Sequence, residues 1–282
     1  MFVKTTRNTE EFVSETGGWL AGNPVENSIL LTMLVGAKFR PPTAPPIAWS
    51  RVEDPASDTA PVVGVAAFTA PHLVVLSGMP TAAAAALGAE LGAGPDLLPG
   101  VIGPDAAAAA FAAAWSEATG RPARADRREQ MLCLDGAVTA DGRPAPEGQS
   151  RAAREEEAEL FTDWCLEAAH GSGLSRETAA RSVRGQIAAG LLRAWELDGE
   201  PVAILGRTAT VAGVVRYSPM FSRPNVRRGG YARALLTESA AEVRAEGLIG
   251  LALTAEGNDK VQKLFRSLGF HPAGGFSEFR FD

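Results

Sequence analysis

The strongest constraint on this chain is one order of secondary structure that recurs on both sides of a single irregular stretch. Residues 136–152, GAVTADGRPAPEGQSRA, are rich in Gly, Ala and Pro and poor in apolar bulk, the composition of a linker, and they divide the 282 residues nearly in half. Ahead of it, strands are predicted at Ile47–Val52, Val62–Phe68 and Leu73–Ser77, then a helix from Thr81 and a short strand at Val101–Ile102. A helix over Asp105–Thr119 follows, with Asp105 as N-cap and Gly120 closing it before Pro122, and then a strand at Gln130–Leu134. Behind the linker, Phe161, Trp164, Cys165 and Ala168 recur at i, i+3, i+4 and i+7, one apolar helical face, and a second helix follows Ser175. Strands Leu192–Leu197 and Val202–Arg207 are joined through Asp198-Gly199, a dipeptide suited to the positive φ of a tight hairpin, and a third runs from Val214 towards Phe221. A helix burying Leu235, Leu236, Ser239 and Val243, a strand at Leu248–Thr254, an Asn258-capped helix ending at Gly269 and a strand at Phe276–Phe281 complete the chain. Both halves read β-β-β-α-β-α-β. The expected class is α/β: two tandem related domains, residues 1–140 and 153–282, each a mostly antiparallel mixed sheet flanked by helices.

Charge narrows the function. The net charge of −6 disfavours a broad nucleic-acid-binding face. Most of the acidic excess lies before residue 146, so the second half is better supplied with cations for an anionic ligand. Residues 59–89 carry no Asp, Glu, Lys or Arg, but Pro61, Pro71 and Pro80 cut the stretch into pieces, and buried strands followed by an Ala-rich helix explain it better than a membrane span. Two cysteines, Cys133 and Cys165, make no disulfide framework, and the terminus MFVKTTRNTEEF has no signal-peptide core, so a cytoplasmic protein without nucleic-acid or membrane partners is expected.

Chemistry concentrates in Ser222-Arg223-Pro224-Asn225-Val226-Arg227-Arg228-Gly229-Gly230-Tyr231-Ala232, which links a strand to a helix. The first amides of a helix have no intrahelical partner, glycines allow close approach of a ligand to the backbone, and the helix dipole favours an anion there. With Arg227 and Arg228 added, the combination suits a pyrophosphate. It is neither a Walker loop nor a G-x-G-x-x-G fingerprint.

The spacing Arg227-x-x-Gly230-x-Ala232 resembles the [Arg/Gln]-x-x-Gly-x-[Gly/Ala] loop of the GNAT superfamily of N-acetyltransferases, and the element order over about 155–282 is similar to that fold. The first half resembles the degenerate amino-terminal copy of tandem members: its third strand runs through Gly78-Met79-Pro80 into poly-alanine without such a loop. The resemblance implies acetyl-CoA as co-substrate. Met220, Phe221 and Ser222 would expose strand backbone to its pantetheine arm, Arg227, Arg228, Gly229, Gly230, Tyr231 and Ala232 would cradle the pyrophosphate, and Asn258 and Phe265 would flank the cofactor. It further implies direct transfer of acetyl to an amine of a small molecule or peptide, with no metal.

The proton carriers are harder to read. The family often places a tyrosine acid in an Asn-x-x-Tyr context, where this chain has Gln262 and Phe265. Phenylalanine donates no proton, which leaves Ser222, His170, Glu196 and Glu278 as the catalytic candidates and keeps a non-enzymatic acyl-CoA-binding or scaffold protein as the alternative. Cys165 reads as core.

Overall fold

The computed structural model describes the chain except residues 41–42, 57–60, 96, 140–141 and 170–172. The first half contains β1 (Phe2–Thr6), α1 (Thr9–Ala21), α2 (Ser28–Ala37), β2 (Ala48–Glu53), β3 (Val62–Phe68), β4 (Val74–Leu76), α3 (Thr81–Ala93), β5 (Gly100–Pro104), α4 (Asp105–Thr119) and β6 (Ala123–Leu134). The second contains β7 (Gln149–Ala152), α5 (Ala158–Ala168), α6 (Arg176–Ala188), β8 (Leu192–Leu197), β9 (Glu200–Arg207), β10 (Val214–Ser222), α7 (Tyr231–Ala245), β11 (Ile249–Ala255), α8 (Asp259–Ser267) and β12 (His271–Phe281). Each half therefore runs β-α-α-β-β-β-α-β-α-β, a longer repeat than the sequence pattern alone suggests.

The extra elements have identifiable causes. Asn8 caps α1 by accepting from the Glu10 and Glu11 amides, but Gly17-Gly18 dilutes the helical signal of that segment. In α2, Ser-Ile-Leu-Leu-Thr-Met-Leu-Val-Gly-Ala has no charged face to give it a period. The last four residues of the stretch read as a linker form β7, antiparallel to β8 through Gln149↔Glu196 to Ala152↔Arg193. Asp105 is not the cap of α4. Pro104 holds that position, and the Asp105 carboxylate instead accepts from Arg128 and from the Ser277 hydroxyl at 2.6 Å each. Gly120 does end the helix, at φ +69°, where a side chain would be strained.

The residues fall into two compact units: Met1–Met131 with Thr254–Asn258 and Pro272–Asp282, and Leu132–Leu253 with Asp259–His271. In the first, the strand order is β1-β2-β3-β4-β5-β12-β6. Its core gathers Val52, Leu76, Leu87, Phe111 and Trp115, and Phe281 of β12 stacks on Trp115 with ring centroids 3.7 Å apart. In the second unit β11, β10, β9, β8 and β7 lie side by side in that order. One face packs on Leu235, Leu236, Ala240 and Val243 of α7 with Phe265 and Phe270. The other packs on Phe161, Trp164 and Cys165 of α5 with Ala179 and Val183 of α6. No helix among the described residues is long and apolar enough to cross a membrane.

Candidate functional site

In the second unit β10 changes partners along its length. It pairs in parallel with β11 over three residues only, Val214–Arg216 against Ile249–Leu251. Against β9 it stays paired to Ser222, with a bulge between Tyr217 and Met220. Past Arg216, then, the β11-facing edge of β10 carries backbone groups that no ladder partner satisfies, and a bulge next to such an edge re-aims side chains. Met220 packs on the α7 face, whereas Phe221 turns to the α5 face and meets Trp164 at 5.2 Å.

The strand leads into one turn of 3₁₀ helix, Pro224–Val226, and then into the glycine pair that opens α7. The two glycines have different reasons. Gly230 sits at φ +87° as the N-cap of α7, a left-handed conformation. A Cβ on Gly229 would lie 2.4 Å from the Tyr231 ring, so only glycine lets that ring fold back towards Trp195. Arg228 also adopts a positive φ, +74°, on the exposed side of the turn. No side chain caps α7, so its first amides, at Tyr231 and half-buried Ala232, have no intrahelical acceptor and face the cradle.

The Arg227 side chain makes its contacts beside the loop itself. Its Nε donates to the Ser222 carbonyl at 3.2 Å, its Nη2 reaches Glu167 at 3.4 Å, and its guanidinium lies over the Phe221 ring. The side chain braces the loop, and the groups at the start of α7 that lack an intrahelical acceptor are backbone amides.

The remaining candidates are dispersed. Glu196 on β8 accepts from Arg151 at 2.5 Å and Arg154 at 3.3 Å. The Arg151 hydrogen bond holds its carboxyl below the usual range, which makes it a weak base. Glu278 belongs to the first unit, buried between Arg127 at 3.0 Å and Arg280 at 2.5 Å. Burial raises its pKa despite both arginines, and it borders a cavity of about 560 Å³ with Arg127, Arg128 and Glu256. Phe265 is buried, edge-on to Phe270 at 4.9 Å and near Tyr217 at 6.5 Å. The Tyr217 hydroxyl is buried, and burial raises its pKa. Asn258 is exposed in the turn after β11, its amide bonded to the Ala255 carbonyl. His170 lies outside the described residues. Buried Cys133 forms a cluster with Asp135 and His271 in which one ligand-type atom of each lies within 4.8 Å of the others. Burial pushes the Cys133 thiol up to about 11, and His271 meets Asp135 at 3.0 Å.

Sequence reasoning missed Arg216. Its signal is visible in retrospect: one charged residue inside the apolar strand Val214-Val215-Arg216-Tyr217.

In the second unit, then, a strand parts from its parallel neighbour and feeds an uncapped, glycine-built helix start. Residues 149–270 match the acetyltransferase (GNAT) family. No curated protein matches the chain. Among solved structures, a GNAT-family acetyltransferase from Colwellia psychrerythraea aligns at TM-score 0.61 and 12% identity, covering 100% of both chains. A GCN5-related N-acetyltransferase from Sphaerobacter thermophilus aligns at 0.60 and 16%, covering 99% of this chain and 94% of that one. A tandem GNAT protein from the clavulanic acid biosynthesis pathway aligns at 0.57 and 18%, covering 99% and 98%. The fold is thus that of GNAT acetyltransferases over the whole length.

Proposed function

We propose that the chain transfers an acetyl group from acetyl-CoA to an amine of a small molecule or peptide, with the second unit as its working domain. The observation that carries this reading is the end of the β10–β11 ladder at Arg216 together with the uncapped start of α7. The cradle fits a pyrophosphate because Gly229 and Gly230 keep its floor free of side chains and the helix dipole points positive potential at it. The amides around Arg227–Ala232 would hold the phosphates. Backbone at Met220, Phe221 and Ser222 would pair with the amide-bearing pantetheine as an added strand does. When bound, the thioester supplies the acyl group, and no covalent enzyme intermediate is required.

The protein contributes positioning and polarisation. Fixing an amine beside the acyl carbon converts a bimolecular encounter into an intramolecular one, and strand amides freed by the bulge can stabilise charge developing on the acyl oxygen. Ser222, at the end of β10, is the candidate donor to the leaving sulfur. Glu196 is engaged by its arginines. The second reading, an acyl-CoA-binding protein without turnover, is favoured by one fact: the ring at Phe265 is buried among aromatics. Calorimetry with CoA, followed by a CoA-release assay over a panel of amines, tests both. Binding with amine-dependent release supports the transferase, binding without release supports the second reading, and no binding removes both.

A further inference from the structure

Arg216 is the last residue of β10 paired with β11, at the apex where the two strands part. Val215 and Tyr217 on either side belong to the cluster under α7, so strand alternation sends the Arg216 side chain to the opposite face, the one covered by α5 and α6. Its backbone is fully engaged, donating to the Thr208 hydroxyl and accepting from the Thr208 amide. Its side chain is not. The Arg216 Nη1 is buried without a hydrogen-bond partner, and no ion pair involving this guanidinium occurs among the described residues. Burial lowers its pKa to about 10, with no carboxylate to offset the effect. An unpaired guanidinium is costly to shelter from water, and the other deeply placed arginine of this unit, Arg151, has Glu157 and Glu196 as partners.

A second orphan comes from α6. Gln186 donates from Nε2 to the Arg207 and Ser218 carbonyls. Those two bonds fix the orientation of its amide, because the reverse would set oxygen against two carbonyl oxygens. The Gln186 Oε1 is then left buried with no donor. The α6 side of the apex therefore holds a cationic donor and a neutral acceptor, each unsatisfied.

We propose that Arg216 binds the carboxylate of a substrate, and that the favoured acceptor is an amino-acid-like molecule whose N–H is taken up by Gln186 Oε1. The step rests on the acetyl-CoA reading only for what happens to the amine, since recognition of the carboxylate does not require CoA. The same carboxylate chemistry could arrive on the acyl chain of the donor, so the two sources are tested separately.

The first measurement is thermal denaturation without CoA, using free amino acids and their decarboxylated amines at matched millimolar concentrations. Wild type should gain several degrees with an amino acid and little with its matching amine. Arg216→Met should lose that response, and unliganded it should melt higher than wild type, because it removes an unpaired, partly buried charge; a purely structural arginine would give a lower Tm. Arg216→Lys serves as the folded control and should keep a reduced response. The second measurement is CoA release. With acetyl-CoA, wild type should favour amino acid over amine by at least about tenfold in kcat/KM, falling to near unity in Arg216→Met with CoA affinity unchanged. If the preference appears instead between a monothioester of a dicarboxylic acid and acetyl-CoA, and is lost in Arg216→Met, the carboxylate belongs to the donor. Equal responses of wild type and Arg216→Met in both arms overturn the site. A carboxylate response in a protein that does not bind CoA overturns the transferase reading and leaves the site standing.

Discussion

The same step in the repeat, from the third strand of the β-β-β run into the next helix, is built in opposite ways in the two halves. In the second, eight residues separate β10 from α7, and the turn ends in two glycines and an uncapped helix start. In the first, Ser77-Gly78-Met79-Pro80 joins β4 to α3 in four. Nothing open remains in that short turn. Met79 packs so tightly on β3 that a Cβ on Gly64 would lie 2.7 Å from the Met79 Cβ, and a Cβ on Gly78 would lie 2.1 Å from a Glu26 carboxylate oxygen. A carboxylate thus lies against the turn that corresponds to the proposed phosphate cradle. On that proposal a common element order need not carry a common binding capacity; the length and charge of one turn would decide it.

The comparison can be broken most severely at Gly230. Gly230→Asp sets a carboxylate in the cradle and should weaken CoA binding at least about 100-fold, about 2.7 kcal/mol, while circular dichroism shows the fold retained. Calorimetry with unchanged affinity would remove the cradle from this loop. On the same grounds wild type should bind one CoA per chain; titration to two equivalents would mean that the first half is open despite Glu26. A smaller effect is expected at the closed turn. Gly78→Ala forces a methyl into the space of Glu26 and should cost about 1–3 kcal/mol of stability, largely relieved in the Glu26→Ala background, with CoA affinity unaltered. Phe265→Tyr adds a hydroxyl to a buried aromatic cluster and should destabilise by about 1–3 kcal/mol if it finds no partner; a faster CoA release in that variant would show that the position reaches the sulfur.

The smallest effect separates two carboxylates by pH. Burial raises the pKa of Glu26, so its contribution to stability is present below the ordinary carboxylate range and lost as pH rises through the raised value. Glu26→Gln should therefore raise Tm slightly at pH 7 and lose that gain in acid. Glu157 is the mirror case. Burial alone would raise it, but the Arg151 hydrogen bonds and the Arg154 amide outweigh burial and lower its pKa. Glu157→Gln should lower Tm at pH 7, and the penalty should fade as pH falls below the ordinary range. Melts of both variants from pH 3.5 to 8 check the two signs.

Local signals were the legible ones. The end of α4 and the bounds of β3 and β8 follow from a closing glycine, an apolar run and a turn dipeptide, and the structure keeps all three as read. The Asp198-Gly199 hairpin likewise has the positive φ at both residues that its sequence demands. The loop from β10 into α7 was legible because it is a contiguous motif. Side-chain partnerships were not, because they close over long sequence distances: Arg151 meets Glu196 from 45 positions away, and Arg127 meets Glu278 from 151. No spacing rule announces that an arginine will be claimed or, as at Arg216, left unclaimed. The first 46 residues were silent for another reason. A glycine-interrupted helix and a uniformly apolar one both lack the contrast on which periodicity depends.

The placement of β12 has a consequence for how the protein is made. Its residues Phe276–Arg280 pair with β5, and Phe279 and Phe281 join the core of the first unit. During synthesis, everything from β1 to β6 leaves the ribosome long before these last residues exist. Until then Trp115 lacks the ring that covers it, and the β5 edge stands open to any strand that finds it. The amino-terminal half, though earlier in the chain than β12, closes its sheet and its core only once β12 has been made.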